Sequence, residues 1–147
     1  MKMVDVGGKE KTERVAIATA RLKMQPSSIR RIRRKEVEKG DVLAAAKLAG
    51  VMAAKKTPDL IPLCHPIGLS SVTVEIGLAG GGRVDIAATV KTVDRTGVEM
   101  EALTAVMAAA LTIYDMLKSV DRGMVIERVQ LDHKSGGRTG AWTRATR

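Results

Sequence analysis

Apolar and polar residues alternate or cluster in seven recognisable stretches of this chain. Over residues 13–24, Val15, Ile17 and Leu22 alternate with polar or small residues, which predicts a half-buried strand. Pro26-Ser27-Ser28 then opens a short basic helix over residues 29–38, since proline suits a first turn, and Gly40 ends it. Asp41 is a good N-cap for an alanine-rich helix through about residue 56, which Thr57-Pro58 stops. Residues 60–66 form a proline-punctuated loop. Residues 69–78 and 83–93 alternate on either side of Ala79-Gly80-Gly81-Gly82, the pattern of a hairpin. Residues 97–118 are rich in Ala, Leu and Met, carry no Gly or Pro after Gly97, and read as one helix. Residues 124–131 alternate again as a last strand.

The order β-αα-β-β-α-β defines an α+β fold of the ferredoxin-like, split βαβ type, with an antiparallel sheet and helices packed on one face. No repeat, low-complexity tract or long linker divides the chain, so residues 1–147 are expected to form a single domain, with 1–12 and 141–147 flexible. The long helix is uncharged from Ala102 to Tyr114 and has no polar face. It is therefore expected to be buried on more than one side, with charges crowded at its two ends.

Composition narrows the classes of function. Cys64 is the only cysteine, so no internal disulfide can form, and the polar start lacks an apolar signal region. The uncharged centre of the long helix is shorter than the ~20 residues of a bilayer span. The expectation is a soluble, cytoplasmic protein with no membrane partner. A net charge of +9 invites a nucleic-acid reading. Tyr114 and Trp142 are however the only aromatics, so no stacking platform for single strands is visible. A solvated basic surface or a small phosphate-bearing substrate fits the charge better.

Four local features could carry chemistry. Cys64-His65 stands between Pro62 and Pro66, which fix the backbone around a thiol and an imidazole. Adjacent side chains rarely face each other as a nucleophile pair, and no set of residues has metal-ligand spacing. Taken alone, His65 reads as a structural histidine. Glu99-Met100-Glu101 places two carboxylates on different sides of a helix, near the N-terminal end where they complement its dipole. Asp115 and Lys118 are three residues apart and share a face, as an ordinary ion pair or as groups that tune each other for proton transfer. Lys134-Ser135-Gly136-Gly137-Arg138-Thr139-Gly140 combines free backbone N–H groups with two cations, which suits a phosphate loop or a flexible tail.

Together these stretches resemble one family in order from Met3 to Gly140. The resemblance rests on Met3-Val4-Asp5-Val6, Lys39-Gly40-Asp41-Val42, Leu60-Ile61-Pro62-Leu63-Cys64-His65-Pro66, TGVEMEALT over residues 96–104, LTIYDM over 111–116 and Lys134-Ser135-Gly136-Gly137. The chain is similar to cyclic pyranopterin monophosphate synthase, the C protein of molybdenum cofactor biosynthesis. That resemblance implies a lyase acting on 3′,8-cyclo-7,8-dihydroguanosine 5′-triphosphate, with cyclic pyranopterin monophosphate and pyrophosphate as products. It implies no cofactor and no metal, a ferredoxin-like fold, and a hexamer with sites between subunits.

The resemblance also assigns residues. Asp115 matches the family's catalytic aspartate, and Lys39, Lys118 and Lys134 match its lysines. Leu63, Cys64 and His65 match its substrate loop, and Glu99, Met100 and Glu101 its acidic turn. Gly7-Gly8 and Arg138-Thr139 depart from the family wording. The competing reading is a small RNA- or ribosome-associated protein using Arg30, Arg31, Arg33, Arg34 and Lys35. One geometric point is independent of the family. Glu101 and Asp115 are 14 residues apart, four turns or roughly 21 Å along a helix, so two antiparallel copies would be needed to bring both to one substrate.

Overall fold

Small apolar residues build the middle of the sheet. Strand β1 (Thr12–Lys23) turns Ala16, Ala18, Ala20 and Leu22 to one face, none more than 3 % exposed. Strand β3 (Arg83–Asp94) does the same with Val84, Ile86, Ala88 and Val90. The two pair antiparallel along their whole length, from Thr12 opposite Asp94 to Lys23 opposite Arg83, so these alternate positions form one continuous face. The structure, a computed structural model, describes residues 1–146.

Strand β2 (Ser71–Ala79) pairs with the outer edge of β3, and β4 (Val125–Ser135) with the other edge of β1. A two-residue strand, β5 (Trp142–Thr143), completes the order β2-β3-β1-β4-β5. Two βαβ units are thereby interleaved, the split arrangement that the element order predicts. The β2–β3 hairpin turns through Gly80–Gly82, and its end closes on β1. Gly82 has φ 76°, and a Cβ there would lie 1.8 Å from the Met24 carbonyl oxygen, so only glycine fits.

The helices cover one face of this sheet. Helix α4 (Glu99–Leu117) lies over β1, β3 and β4 and buries Ala102, Ala105, Val106, Ala109, Ala110 and Ile113. Helix α2 (Val42–Lys55) packs beside it and on β2. Gly50 sets their separation: a Cβ there would stand 2.8 Å from Val74 Cγ2 and 3.1 Å from the Ala105 carbonyl. Asp41 caps α2, its Oδ1 accepting from the Ala44 N–H at 3.0 Å. By length and composition α4 could cross a membrane, but half of that stretch is buried in the fold, as in a core helix. Within one chain α4 is covered on two sides, by the sheet and by α2, as its lack of a polar face implies. Met107 and Leu111 remain exposed, with Leu48 and Met52 of α2.

Several boundaries differ from the sequence reading. The alternation in β1 pointed to Val15 and Ile17, yet the core face is the alanine face beneath α4, because only small side chains fit under so close a helix. Helix α1 (Pro26–Arg33) stops before residue 38, since Lys35 takes φ 55° and the Glu36 N–H turns back to the Arg31 carbonyl. Thr57-Pro58 ends α2 but also starts a further turn, α3 (Thr57–Leu60), whose Thr57 hydroxyl donates to the carbonyls of Ala53 and Ala54. Strand β4 runs on to Ser135, so Lys134 stands on a strand rather than in a loop. Of the tail expected to be flexible, Trp142 and Thr143 pair with Lys134 and His133, while Arg147 lies outside the described residues. Residues 1–11 form no helix or strand.

Candidate active site

Two groups of functional side chains stand at opposite ends of α4. At its start, the helical spacing sends Glu99 and Glu101 in different directions. Glu101 points inward and is 2 % exposed; Met100 between them faces solvent. The Cys64 thiol donates to Glu101 Oε1 at 3.6 Å, and Glu101 Oε2 is buried without a partner among the described residues. Burial, with the charge of Glu99 beside it, raises the Glu101 carboxyl above the usual carboxylate range. Burial and the neighbouring Glu101 push the Cys64 thiol up to about 11. Cys64 is thus a hydrogen-bond donor and not a nucleophile.

The next residue, His65, is directed elsewhere. Its Nε2 lies 2.7 Å from the Val4 carbonyl oxygen, which can only accept, so Nε2 carries a proton. Leu63 is exposed on the same loop. Cys64 and His65 therefore do not form a pair, as their adjacency implied.

Glu99 turns to β4, where Lys134 Nζ stands 3.3 Å from its Oε1, both side chains about 30 % exposed. The two line a cleft of about 730 Å³ with Arg14, Thr96 and Arg138. The register that sets Lys134 opposite Ala16 brings the chain after β4 back over β1. Gly136 and Gly137 have φ 97° and 79°, and a Cβ on Gly137 would lie 2.3 Å from Arg14 Nη1. These glycines serve first to let the Arg14 guanidinium fit against the turn. Arg14 is the cation that the sequence reading missed, because a lone arginine in an alternating strand carries no motif. It donates to the carbonyls of Asp94 and Arg95 at 3.4 and 3.1 Å.

At the far end of α4, Asp115 Oδ2 accepts from Lys39 Nζ at 2.8 Å, and Lys118 Nζ lies 2.9 Å from Oδ1. Lys39 also donates to the Asp115 carbonyl at 3.1 Å. Hydrogen bonds from Lys39 and Lys118 hold the Asp115 carboxyl down to about 2. The spacing of Asp115 and Lys118 showed that pair; Lys39 arrives from a loop far away in sequence, and only the fold brings it in. All three are half-exposed, so this is a charged surface cluster open to a ligand.

Cys64, Glu99, Glu101 and Lys134 thus gather at the start of α4, and Lys39, Asp115 and Lys118 at its end. The side chains of Leu63, His65 and Met100 form no hydrogen bond with either group among the described residues, and one chain does not bring the two groups together. Helix α4 has 19 residues, so its ends are roughly 28 Å apart at ~1.5 Å per residue. Among the described residues, no group of three or more His, Cys, Asp or Glu side chains could hold a metal ion.

Two lysines, two arginines and two carboxylates line an open cleft on an α+β sheet, a lining whose charge suits a small anion. The chain belongs to the MoaC family, whose model matches residues 3–137. It is 55 % identical over 144 residues to the cyclic pyranopterin monophosphate synthase of Thermomicrobium roseum, covering 97 % of this chain and 87 % of that protein. It is 54 % identical to the Streptomyces coelicolor enzyme of the same name, over 98 % of this chain and 84 % of the relative. Cyclic pyranopterin monophosphate synthase 3 of Mycobacterium tuberculosis H37Rv is 55 % identical, over 97 % and 81 %.

Proposed function

We propose that the chain is a lyase that converts 3′,8-cyclo-7,8-dihydroguanosine 5′-triphosphate to cyclic pyranopterin monophosphate with release of pyrophosphate. The observation that carries this reading is Asp115 held between Lys39 and Lys118, within a chain of the MoaC family. A triphosphate becomes a cyclic monophosphate when a sugar hydroxyl oxygen bonds to the α-phosphorus and the bond to pyrophosphate breaks. The hydroxyl proton needs an acceptor, and the leaving group needs cations. Asp115, ionised at neutral pH, can accept a proton, and Lys39 and Lys118 can return one. Lys134, Arg14 and Arg138 supply charge for the phosphates. Glu101, with an unpaired buried oxygen beside the Cys64 donor, suits the N–H edge of a guanine-derived ring.

Both groups serve one substrate if two copies of α4 run antiparallel, each chain lending its start to the other's end. The uncovered stripe of Met107 and Leu111, with Leu48 and Met52, supports such a contact. The resemblance extends this to a hexamer, and the lone unpaired Cys64 is in keeping with a cytoplasmic home. The RNA-associated alternative has no support: the exposed arginines of α1 lack stacking partners, and the family match covers residues 3–137, α1 included.

Incubation with the cyclic triphosphate should release pyrophosphate stoichiometrically with cyclic pyranopterin monophosphate; no release by the assembled protein would overturn the reading. Lys134→Ala is expected to weaken pyrophosphate binding about tenfold and to flatten its salt dependence. Binding isotherms of variant and wild type at low and high salt check this.

A further inference from the structure

Residues 1–11 lack helix and strand, yet they are not free of the rest of the chain. The Val4 carbonyl is fastened to His65 Nε2, and Thr12 enters β1 opposite Asp94. Between these two anchors, Gly7 to Glu10 make backbone hydrogen bonds only within the segment. The Gly7 N–H donates to Asp5 Oδ1 at 2.8 Å and the Lys9 N–H to the Val6 carbonyl at 3.1 Å. Gly8, Lys9 and Glu10 then form one wall of the cleft that holds Lys134, Arg14 and Arg138. A Cβ on Gly8 would meet no atom within 4 Å, so the wall is open at this point.

Charge gives the segment a direction in which to move. The cleft carries four cations, Lys9, Arg14, Lys134 and Arg138, against the carboxylates Glu10 and Glu99. Glu99 already neutralises Lys134, whereas Lys9 is exposed and has no ion pair among the described residues. The Thr12 hydroxyl, which lines the same cleft, is buried and has no partner among the described residues. An incoming polyphosphate would find Lys9 uncommitted, on a tether of two glycines pinned at both ends.

We propose that residues 4–10 are a strap across the polyphosphate end of the cleft, latched by the Val4 carbonyl on His65, and that Lys9 on it is a phosphate-binding residue. This rests on the reading of the cleft as a triphosphate site. The hydrogen bond from His65 Nε2 to the Val4 carbonyl fixes the near end of the strap, as the pairing of Thr12 with Asp94 fixes the far end. Lys9 meets the phosphates that leave, so it contributes to binding and leaves the proton transfers at Asp115 untouched.

The test compares wild type, Lys9→Met and Lys2→Met as full-length proteins. Methionine keeps the apolar stem of Lys9 and removes its charge; Lys2 precedes the latch and lines no cleft. For Lys9→Met, the dissociation constant for pyrophosphate and the KM for the cyclic triphosphate should both rise about tenfold, the scale of one charge-assisted contact. The kcat should stay within about twofold, and binding should depend less on salt. Lys2→Met should match wild type. Amide exchange over residues 4–9 should slow when pyrophosphate binds wild type. Unchanged pyrophosphate binding and KM in Lys9→Met, in a preparation whose wild type turns over substrate, would refute the strap while leaving the proposed reaction standing. Wild type that binds pyrophosphate through Lys9 but turns over no cyclic triphosphate would instead refute the reaction and keep the strap.

Discussion

Asp115→Asn is expected to lower turnover by roughly 100-fold or more, the usual scale for losing a general acid or base, and to leave the fold intact. The side chain is exposed at the end of α4, and its hydrogen bonds run only to Lys39 and Lys118. Asparagine keeps its size and one acceptor oxygen but cannot take a proton. With the folded carboxyl held to about 2, below its ordinary value, whatever stability the charge contributes is present above that ordinary value. It is lost only as the pH falls toward 2; the cluster is exposed and such pairs contribute little, so thermal midpoints of variant and wild type at neutral pH should nearly coincide. For the same reason the acid limb of kcat/KM in the free enzyme must come from another group, and the raised carboxyl of Glu101 is the natural one. Near wild-type turnover by Asp115→Asn would reduce the cluster to a surface ion pair, worth little to the protein.

The second large effect is a recovery. Glu101→Ala and Asp115→Ala are each expected to be inactive alone and to regain activity when dissociated, mixed and reassembled. In a mixed dimer with shared sites, one site collects both lesions and the other collects neither. Random pairing makes half of the dimers mixed, so about a quarter of all sites should be intact. Glu101→Ala is a fair partner for this test, because removing a buried carboxyl with an unpaired oxygen offsets part of the cost of the cavity it leaves. Activity that stays absent in confirmed mixed oligomers would mean that each chain completes its own site. The sum of helix length and residue spacing would then have to be met by a large bend in α4, which the structure does not show.

Much of this architecture could be read from the chain, and the misses have physical causes. The β2–β3 hairpin and α4 were legible because period-two alternation and an unbroken run of helix formers are strong signals. The core face of β1 was not, because alanines carry little hydrophobic signal and are chosen there for the closeness of α4. The end of β4 was missed because Asp132, His133, Lys134 and Ser135 are polar; they hold the strand through pairing with β1 and β5. At the site, helix geometry foretold the divergence of Glu99 and Glu101 and the pairing of Asp115 with Lys118. It could not foretell Lys39 or Arg14, whose contacts cross the fold, nor Asp121, which is buried and accepts from the Gln25 N–H and the Ser28 hydroxyl at the start of α1.

The contact between Cys64 and Glu101 has a consequence for durability. Oxidants and electrophiles attack the thiolate, and with the thiol pushed up to about 11 little thiolate is present at neutral pH. The Glu101 carboxyl thus also shields the only sulfhydryl of the chain from sulfenate formation, and the thiol is kept for the hydrogen bond it donates.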